Sequence, residues 1–417
     1  MKILLATYWP IPHLGGVWNY MTQLKKRLEL LGHEVDVLGY DEDNLDICMV
    51  NSGKKVGRDK LLPLLQAKMN KRNYPELFEN KLVEYTEFQR YIFELGVAYF
   101  GLEKYDLIHT QDVVSTACID RIRPPQIPLV ATLHGSVAHE IQHQLTTIHN
   151  SPNAFMAKAY YEELEKIGAT SPEVTIVANN WLKNILTDEF DVAEDQIKVL
   201  HYGFDTESFI KQMKAKTLIT PPRNKKVIIY TGRLTELKGI QNLLVALGKL
   251  KRKRQDWVCW IVGSGDEEAK LRTKSKALGL EDYVYFLGKR DDVPSLLAKS
   301  DIYVLPTLLE NQPLSLIESQ IAGKAAIVSD VGGLPEMVKH KVTGLLTPPG
   351  DTNALYENMD LLLSNELLRR NLGSNAKKWG MTHWSIDQGM KSLMEVYNNA
   401  ISIRKNGDKN VANDSIH

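Results

Sequence analysis

DIYVLPTLLENQPLSLIESQIAG, residues Asp301 to Gly323, is the stretch whose reading decides the fold. Ile302 to Leu305 is a short apolar run of the kind that forms a strand buried on both faces, and Pro306 and Thr307 stop it. A polar loop carrying Glu310 follows. Pro313 then occupies a first-turn position where a missing N–H is harmless, and Leu314, Leu316, Ile317 and Ile321 supply an apolar stripe until Gly323 ends the helix. The stretch is strand, acidic loop, helix. In open α/β sheets ligands bind beyond the carboxyl ends of such strands, where helix N-termini present free N–H groups to anions.

Glu310 and Glu318 are too far apart in sequence to share one helical turn. They are therefore expected to address two parts of one ligand, each accepting hydrogen bonds from hydroxyls such as those of a sugar and a ribose. The spacing alone is equally compatible with two solvated surface glutamates.

Strands recur around this unit at Val227 to Thr231, Trp257 to Val262, Tyr283 to Leu287 and Ala325 to Ser329, which predicts a parallel sheet. Arg233 and Lys238 flank the turn after the first of these, ahead of a helix starting near Ile240. A guanidinium and an ammonium there can neutralise a leaving diphosphate; the plain alternative is a pair of surface cations. Gly263 and Gly265 suggest a dinucleotide fingerprint only weakly, because the third glycine is missing. The polar TPPRNKK near Thr220 to Lys226 reads as a linker.

The first half repeats the alternation, with strands at Lys2 to Thr7, Glu34 to Leu38, Asp106 to His109, Leu129 to Leu133, Val174 to Ala178 and Ile197 to Leu200. Gly15 and Gly16 sit between the first strand and a helix, where backbone N–H groups can approach a phosphate or simply make a tight turn. His134 directly follows a strand, where side chains overhang a ligand crevice. Residues 41 to 104 are the least legible. Basic residues among Leu61, Leu62, Leu64 and Leu65 suggest that residues 54–72 either touch an anionic membrane surface or form a solvated basic face. Phe78, Leu82, Tyr85, Phe88, Ile92, Leu95 and Tyr99 then predict the core-facing stripe of a long helix.

One passage points elsewhere. HEIQHQLTTIH places His139, Glu140, His143 and His149 at the spacing of a zinc metalloprotease site. Thr146 stands where that pattern needs a turn-forming glycine, and the surrounding strand-helix alternation does not suit such a protease. A zinc-binding hydrolase remains a remote alternative.

At 417 residues the chain predicts two domains. With 43% apolar and 24% charged residues it is a globular composition, and a formal charge of zero provides no global field for nucleic acid. Cys48, Cys118 and Cys259 are scattered and odd in number, which disfavours a disulfide framework and predicts free thiols in a reducing cytoplasm. No apolar run has the length of a bilayer span, and Ile3 to Ala6 is too short for a secretory leader.

From Lys2 to about Trp384 the chain resembles the retaining glycosyltransferases of family 4, enzymes of the GT-B fold. The motifs that carry the resemblance, in the family's order, are GRLTELKG at Gly232 to Gly239, IVGSGDEEAKL at Ile261 to Leu271, FLGKRDDVPSLLAKSDIYVLPT at Phe286 to Thr307, the E-x7-E of Glu310 and Glu318, and SDVGGLPEMVKHKVTGLLTPPGD at Ser329 to Asp351. The resemblance implies an α/β architecture of two Rossmann-like, doubly wound parallel-sheet domains facing an interdomain cleft. An acceptor-side domain would span 1–204 and a nucleotide-sugar-binding domain 205–384. A C-terminal helix at 385–404 would cross back to the first domain, and residues 405–417 would form a disordered tail.

The implied reaction moves a sugar from a UDP- or GDP-sugar to a glycan, lipid-linked or small-molecule acceptor, with retention and without a metal or other cofactor. Envelope or exopolysaccharide synthesis is the setting that the family's habits suggest, in the cytoplasm or peripherally at the inner face of the membrane. Carried over by position, Glu318 would bind ribose and Glu310 the donor sugar, while Arg233 and Lys238 would stabilise the diphosphate. Gly15, Gly16, Gly263, Arg290, Leu314 and Ser315 would line the donor site, and His134 would orient the sugar or phosphate. Many relatives have E-G-F-G where this chain has Glu310, Asn311, Gln312 and Pro313, so one backbone donor is missing at Pro313. The alternative is a non-catalytic carbohydrate-binding or assembly protein of the same fold, which the intact set Arg233, Lys238, Glu310 and Glu318 disfavours.

Overall fold

A computed structural model describes residues 1–12, 16–147 and 154–414 and divides into two compact units, 1–200 with 390–417, and 201–389. The first unit holds β1 (Lys2–Pro10), β2 (Glu34–Tyr40), β3 (Asp46–Met49), β4 (Lys54–Gly57), β5 (Leu107–Thr110), β6 (Leu129–Leu133), β7 (Val174–Val177) and β8 (Ile197–Val199). They form one sheet in the order β4-β3-β2-β1-β5-β6-β7-β8. It is parallel except for β3 and β4, which extend it antiparallel from β2. Successive residues of β1 feed opposite cores, Leu4 and Ala6 on one face, Ile3 and Leu5 on the other, as the two-residue period of a strand requires.

The second unit holds β9 (Lys226–Thr231), β10 (Trp257–Val262), β11 (Val284–Gly288), β12 (Ile302–Leu305), β13 (Ala325–Ser329) and β14 (Gly344–Thr347), all parallel, in the order β11-β10-β9-β12-β13-β14. The winding reverses between β9 and β12. That reversal is where an open α/β sheet leaves a crevice for a ligand. In the first unit the equivalent reversal lies between β1 and β5.

The segment least legible in sequence contains β3, β4 and the helices Arg58–Lys68 and Lys81–Phe100. Asn80 caps the second helix by accepting hydrogen bonds from the N–H groups of Leu82 and Val83. Its buried face differs from the expected stripe: Ile92 is in the core, but Tyr85, Leu95 and Tyr99 are exposed, and Val83, Thr86, Gln89, Phe93, Gly96 and Val97 face inward. Gly96 explains the rotation. A Cβ there would lie 2.5 Å from Ile47, so the helix rests directly on β3 through a residue that hydropathy does not mark.

The C-terminal helix runs Ile386–Asp414 and packs Leu393, Val396, Tyr397 and Ala400 against Ile3, Leu5, Val130 and Ile176 of the first sheet. It continues past residue 404 into the polar stretch expected to be a tail; residues 415–417 lie outside the described residues. Where the chain enters the second unit it meets the segment leading back out: the Phe204 N–H donates to the Trp384 carbonyl at 2.9 Å. Among the described residues no helix is long and apolar enough to cross a membrane.

Candidate active site

The crevice of the second unit is built by loops that touch through backbone. After β9 the chain passes Gly232 and Arg233, makes a 3-10 turn at Glu236–Lys238, and enters the helix Ile240–Lys253 through Gly239, whose φ of 67° is left-handed. A Cβ on Gly239 would sit 1.9 Å from the Pro306 carbonyl oxygen, so only glycine allows the loops after β9 and β12 to meet. The Leu308 N–H (2.7 Å) and the Thr307 hydroxyl (2.9 Å) both donate to the Leu237 carbonyl, fastening the two loops. Behind them, Gly332 in the loop after β13 has a φ of 60° and would bring a Cβ within 1.9 Å of the Glu310 carbonyl oxygen.

This frame places Lys238 against Glu310. The ammonium and carboxylate form an ion pair across the crevice, with side chains 18% and 15% exposed. Glu310 Oε1 also accepts the Asn311 N–H at 3.3 Å. One donor of Lys238 is thereby used and two remain for a ligand, while Glu310 keeps acceptor capacity for hydroxyls. Arg233, in the loop after β9, is exposed and, among the described residues, has no ion-pair partner. Glu318 lies in the helix Leu314–Ile321 that follows the Glu310 loop. No hydrogen bond or ion pair reaches its carboxylate among the described residues, and desolvation pushes its pKa up to about 7. Leu314 and Ser315 form the first turn of that helix, and the Tyr303 hydroxyl donates to Ser315 Oγ at 2.8 Å, fixing the hydroxyl from below.

Arg233, Lys238, Glu310, Glu318, Leu314 and Ser315 thus all lie on the segments that follow β9 and β12 in one unit. Two other expected donor residues are engaged elsewhere. Arg290, beyond the outer strand β11, grips Asp292 with two nitrogens at 2.6 and 2.8 Å. Gly263 has its N–H committed to the Gly288 carbonyl, and a Cβ there would meet the Gly232 carbonyl oxygen at 1.9 Å. What Gly263 supplies is room for the β9 loop.

His134 and Gly16 lie in the first unit. Gly16 is the exposed first residue of the helix Gly16–Leu30, and Gly15 lies outside the described residues. His134 is half-buried after β6, its Nε2 3.1 Å from Gln111 Oε1 and its ring edge-on to Tyr20 at 5.2 Å. Burial pushes its pKa down to about 3, so it acts as a neutral hydrogen-bonding group at pH 7. Asp112, which the sequence reading did not single out, ties the first unit's reversal together. Its carboxylate accepts from the Thr7 hydroxyl (2.9 Å), the Tyr8 N–H (2.8 Å) and the Ser115 N–H (2.7 Å). An Asp just before an apolar helical run is an N-cap signature that would have found it.

The histidines of HEIQHQLTTIH do not assemble a centre in the described residues. His139 and His143 are on the helix Val137–Thr147, His139 Nε2 meets Glu189 Oε2 at 2.9 Å, and His149 lies outside the described residues. Among the described residues no group of three His, Cys, Asp or Glu side chains could hold a metal ion.

Two doubly wound units, the second with a cationic and carboxylate-lined crevice at its reversal, have the architecture of a GT-B glycosyltransferase, an enzyme that moves a sugar from a nucleotide sugar to an acceptor. Residues 14–208 match the model of Glycosyltransferase Family 4 and residues 212–379 that of Glycosyl transferases group 1, and the chain belongs to family 4. It is 26% identical over 422 residues to the N-acetyl-alpha-D-glucosaminyl L-malate synthase of Bacillus anthracis, across 98% of this chain and 99% of that one. Its fold is similar to the sucrose-phosphate synthase of Thermosynechococcus elongatus, with a TM-score of 0.72 at 21% identity, covering 96% of this chain and 99% of that one. It is also similar to Anabaena HepE in complex with UDP-glucose, with a TM-score of 0.65 at 19% identity, covering 95% and 99%.

Proposed function

We propose that the chain is a retaining hexosyltransferase using a UDP-sugar, with a GDP-sugar as the second choice, and that the crevice between β9 and β12 holds the donor. The observation that carries this reading is the charge arrangement there: an uncompensated Arg233, a Lys238 with donors to spare, and two carboxylates at different depths. Arg233 and Lys238 face the diphosphate and gain most as its negative charge grows on bond cleavage, which is stabilisation of a leaving group. Glu310 accepts from donor-sugar hydroxyls and Glu318 from the ribose. First-turn N–H groups at Leu314 and Ser315, with the backbone at Gly15 and Gly16, assist at the phosphates. His134 orients the sugar or phosphate as a neutral imidazole. These groups leave no step that requires a bound metal.

The HepE complex supports UDP as the nucleotide. The acceptor is a hydroxyl group on a carbohydrate, a lipid-linked glycan or a small molecule. The malate-linked product in the name of the Bacillus relative supports the last of these, and cell-envelope or exopolysaccharide assembly is the setting for the other two. A cytoplasmic enzyme, peripheral at the inner membrane face, suits the free, buried Cys48, Cys118 and Cys259. Within 54–72, Lys54, Lys60, Lys68, Lys71 and Arg72 are exposed beside an exposed Leu64, a surface suited to anionic lipid. Lys55 is less available, since it pairs with Asp41.

Thermal shift of chelator-treated protein with UDP-, GDP- and ADP-sugars tests the donor assignment. Stabilisation by one of them, abolished by Arg233→Ala and by Glu318→Ala, is expected. No response to any nucleotide sugar overturns it. NMR of the product's anomeric centre tests retention, and an inverted product overturns that part alone.

A further inference from the structure

A chain of polar side chains crosses the core of the first unit beneath its ligand-facing edge. Tyr397, on the C-terminal helix, places its hydroxyl 2.8 Å from His109 Nδ1. His109, on β5, places Nε2 2.7 Å from the Thr132 hydroxyl on β6. The Thr132 side chain is hydrogen-bonded to the Tyr20 hydroxyl on the helix Gly16–Leu30. The edge of the Tyr20 ring then abuts the imidazole of His134 at 5.2 Å and 71°. Tyr397, His109 and Thr132 are completely buried.

Packing alone does not account for these residues. Phe, Leu and Val of similar volume would fill the same space with no polar group to desolvate, and buried polar groups are retained at a penalty unless each is satisfied. Burial pushes the His109 pKa down to about 3, so the ring is neutral, with one N–H and one lone pair. One of its two neighbours must donate and the other accept. The chain therefore has a direction, and reversing it requires the imidazole proton to change nitrogen as well as every hydroxyl along it to turn. Gln111, 1% exposed, holds His134 from the other side through its Oε1. A hydrogen bond at Nε2 and an aromatic edge against the ring together fix both the tilt and the rotation of the imidazole.

We propose that Tyr397, His109, Thr132 and Tyr20 act as one positioning chain for His134, so that the C-terminal helix sets the attitude of that imidazole. The proposal rests on the reading that His134 orients the donor. None of the four touches substrate; they act through His134. The helix that supplies Tyr397 begins in residues grouped with the second unit and continues in the first, so the part of the chain that joins the units also braces a side chain of the site.

The test is a double-mutant cycle of Tyr397→Phe and His134→Ala, read as kcat and donor KM. Tyr397→Phe removes one oxygen and is expected to lower kcat about five- to tenfold, with donor KM moving less than about twofold. In the His134→Ala background it should have no further effect. Losses that multiply in the double variant, or an unchanged kcat in Tyr397→Phe while His134→Ala is impaired, overturn the positioning chain and leave the reading of His134 intact. An unchanged kcat in His134→Ala overturns that reading, and the chain's purpose with it. Should Tyr397→Phe lower the melting temperature markedly, His109→Gln and His109→Leu decide. The amide, which keeps a donor and an acceptor, is expected to retain more kcat than the leucine, and the opposite order overturns the proposal.

Discussion

The two units turn the same topological reversal to opposite electrostatic use. In the first, Asp112 at the reversal is buried and accepts three hydrogen bonds that knit β1 to the helix Val113–Ile122. In the second, Glu318 sits partly desolvated with no partner among the described residues, and Arg233 is likewise uncompensated. One carboxylate is committed to holding the fold. The other is desolvated without a partner among the described residues, at some expense in stability. Unsatisfied charge is not a general mark of the crevice, since Lys238 and Glu310 pair with each other there.

The comparison breaks most sharply on activity. Arg233→Ala and Glu310→Ala are each expected to lower kcat/KM for transfer about 10²- to 10³-fold, as loss of a preorganised charge contact does. Retention of full function by Glu310→Ala would favour the non-catalytic, carbohydrate-binding reading instead. In the first unit the largest effect should fall on stability. Asp112→Ala orphans three donors at once and is expected to destabilise by about 2–4 kcal/mol in urea unfolding. Lys238→Met should lower stability by about 1–2 kcal/mol by leaving Glu310 unpaired in a half-buried site, and adding Glu310→Gln should return most of it.

The last effect has the opposite sign. The Glu318 pKa is raised in the folded chain from 4.5 to about 7, so the folded state holds a proton that the unfolded state has lost between those values. Its contribution therefore becomes less favourable as pH rises through that window and stays unfavourable above it. Glu318→Gln removes the penalty. It should stabilise the protein by about 1–2 kcal/mol at pH 8, with the gain fading as pH falls toward about 4.5. A gain independent of pH would mean that the carboxylate is not the source.

Much of the second unit was legible because its strands are continuous apolar runs set off by prolines and glycines: β9, β10, β12 and β13 fall where the pattern puts them. β14, GLLT, was missed because four residues before a Pro-Pro-Gly turn carry little periodicity. β4, KKVG, has one buried side chain and resembles a polar loop. The ion pair of Lys238 and Glu310 could not be read from spacing, since topology alone joins residues 72 positions apart. Arg290 teaches the converse. Its partner Asp292 is two residues away, and that local pairing was visible in the sequence while the resemblance drew attention to the donor. Family resemblance supplied the expected members, and only a pairing as local as that of Arg290 and Asp292 lay within reach of the sequence.

β4 has one more consequence. As the last strand of the first sheet it offers an open row of backbone donors and acceptors, the feature by which sheets of separate molecules join. Lys54 and Lys55 are exposed on it, and a second copy approaching edge to edge would bring ammonium against ammonium. Lys54, one of the basic residues that suit a lipid surface, also discourages the sheet from growing beyond its own chain.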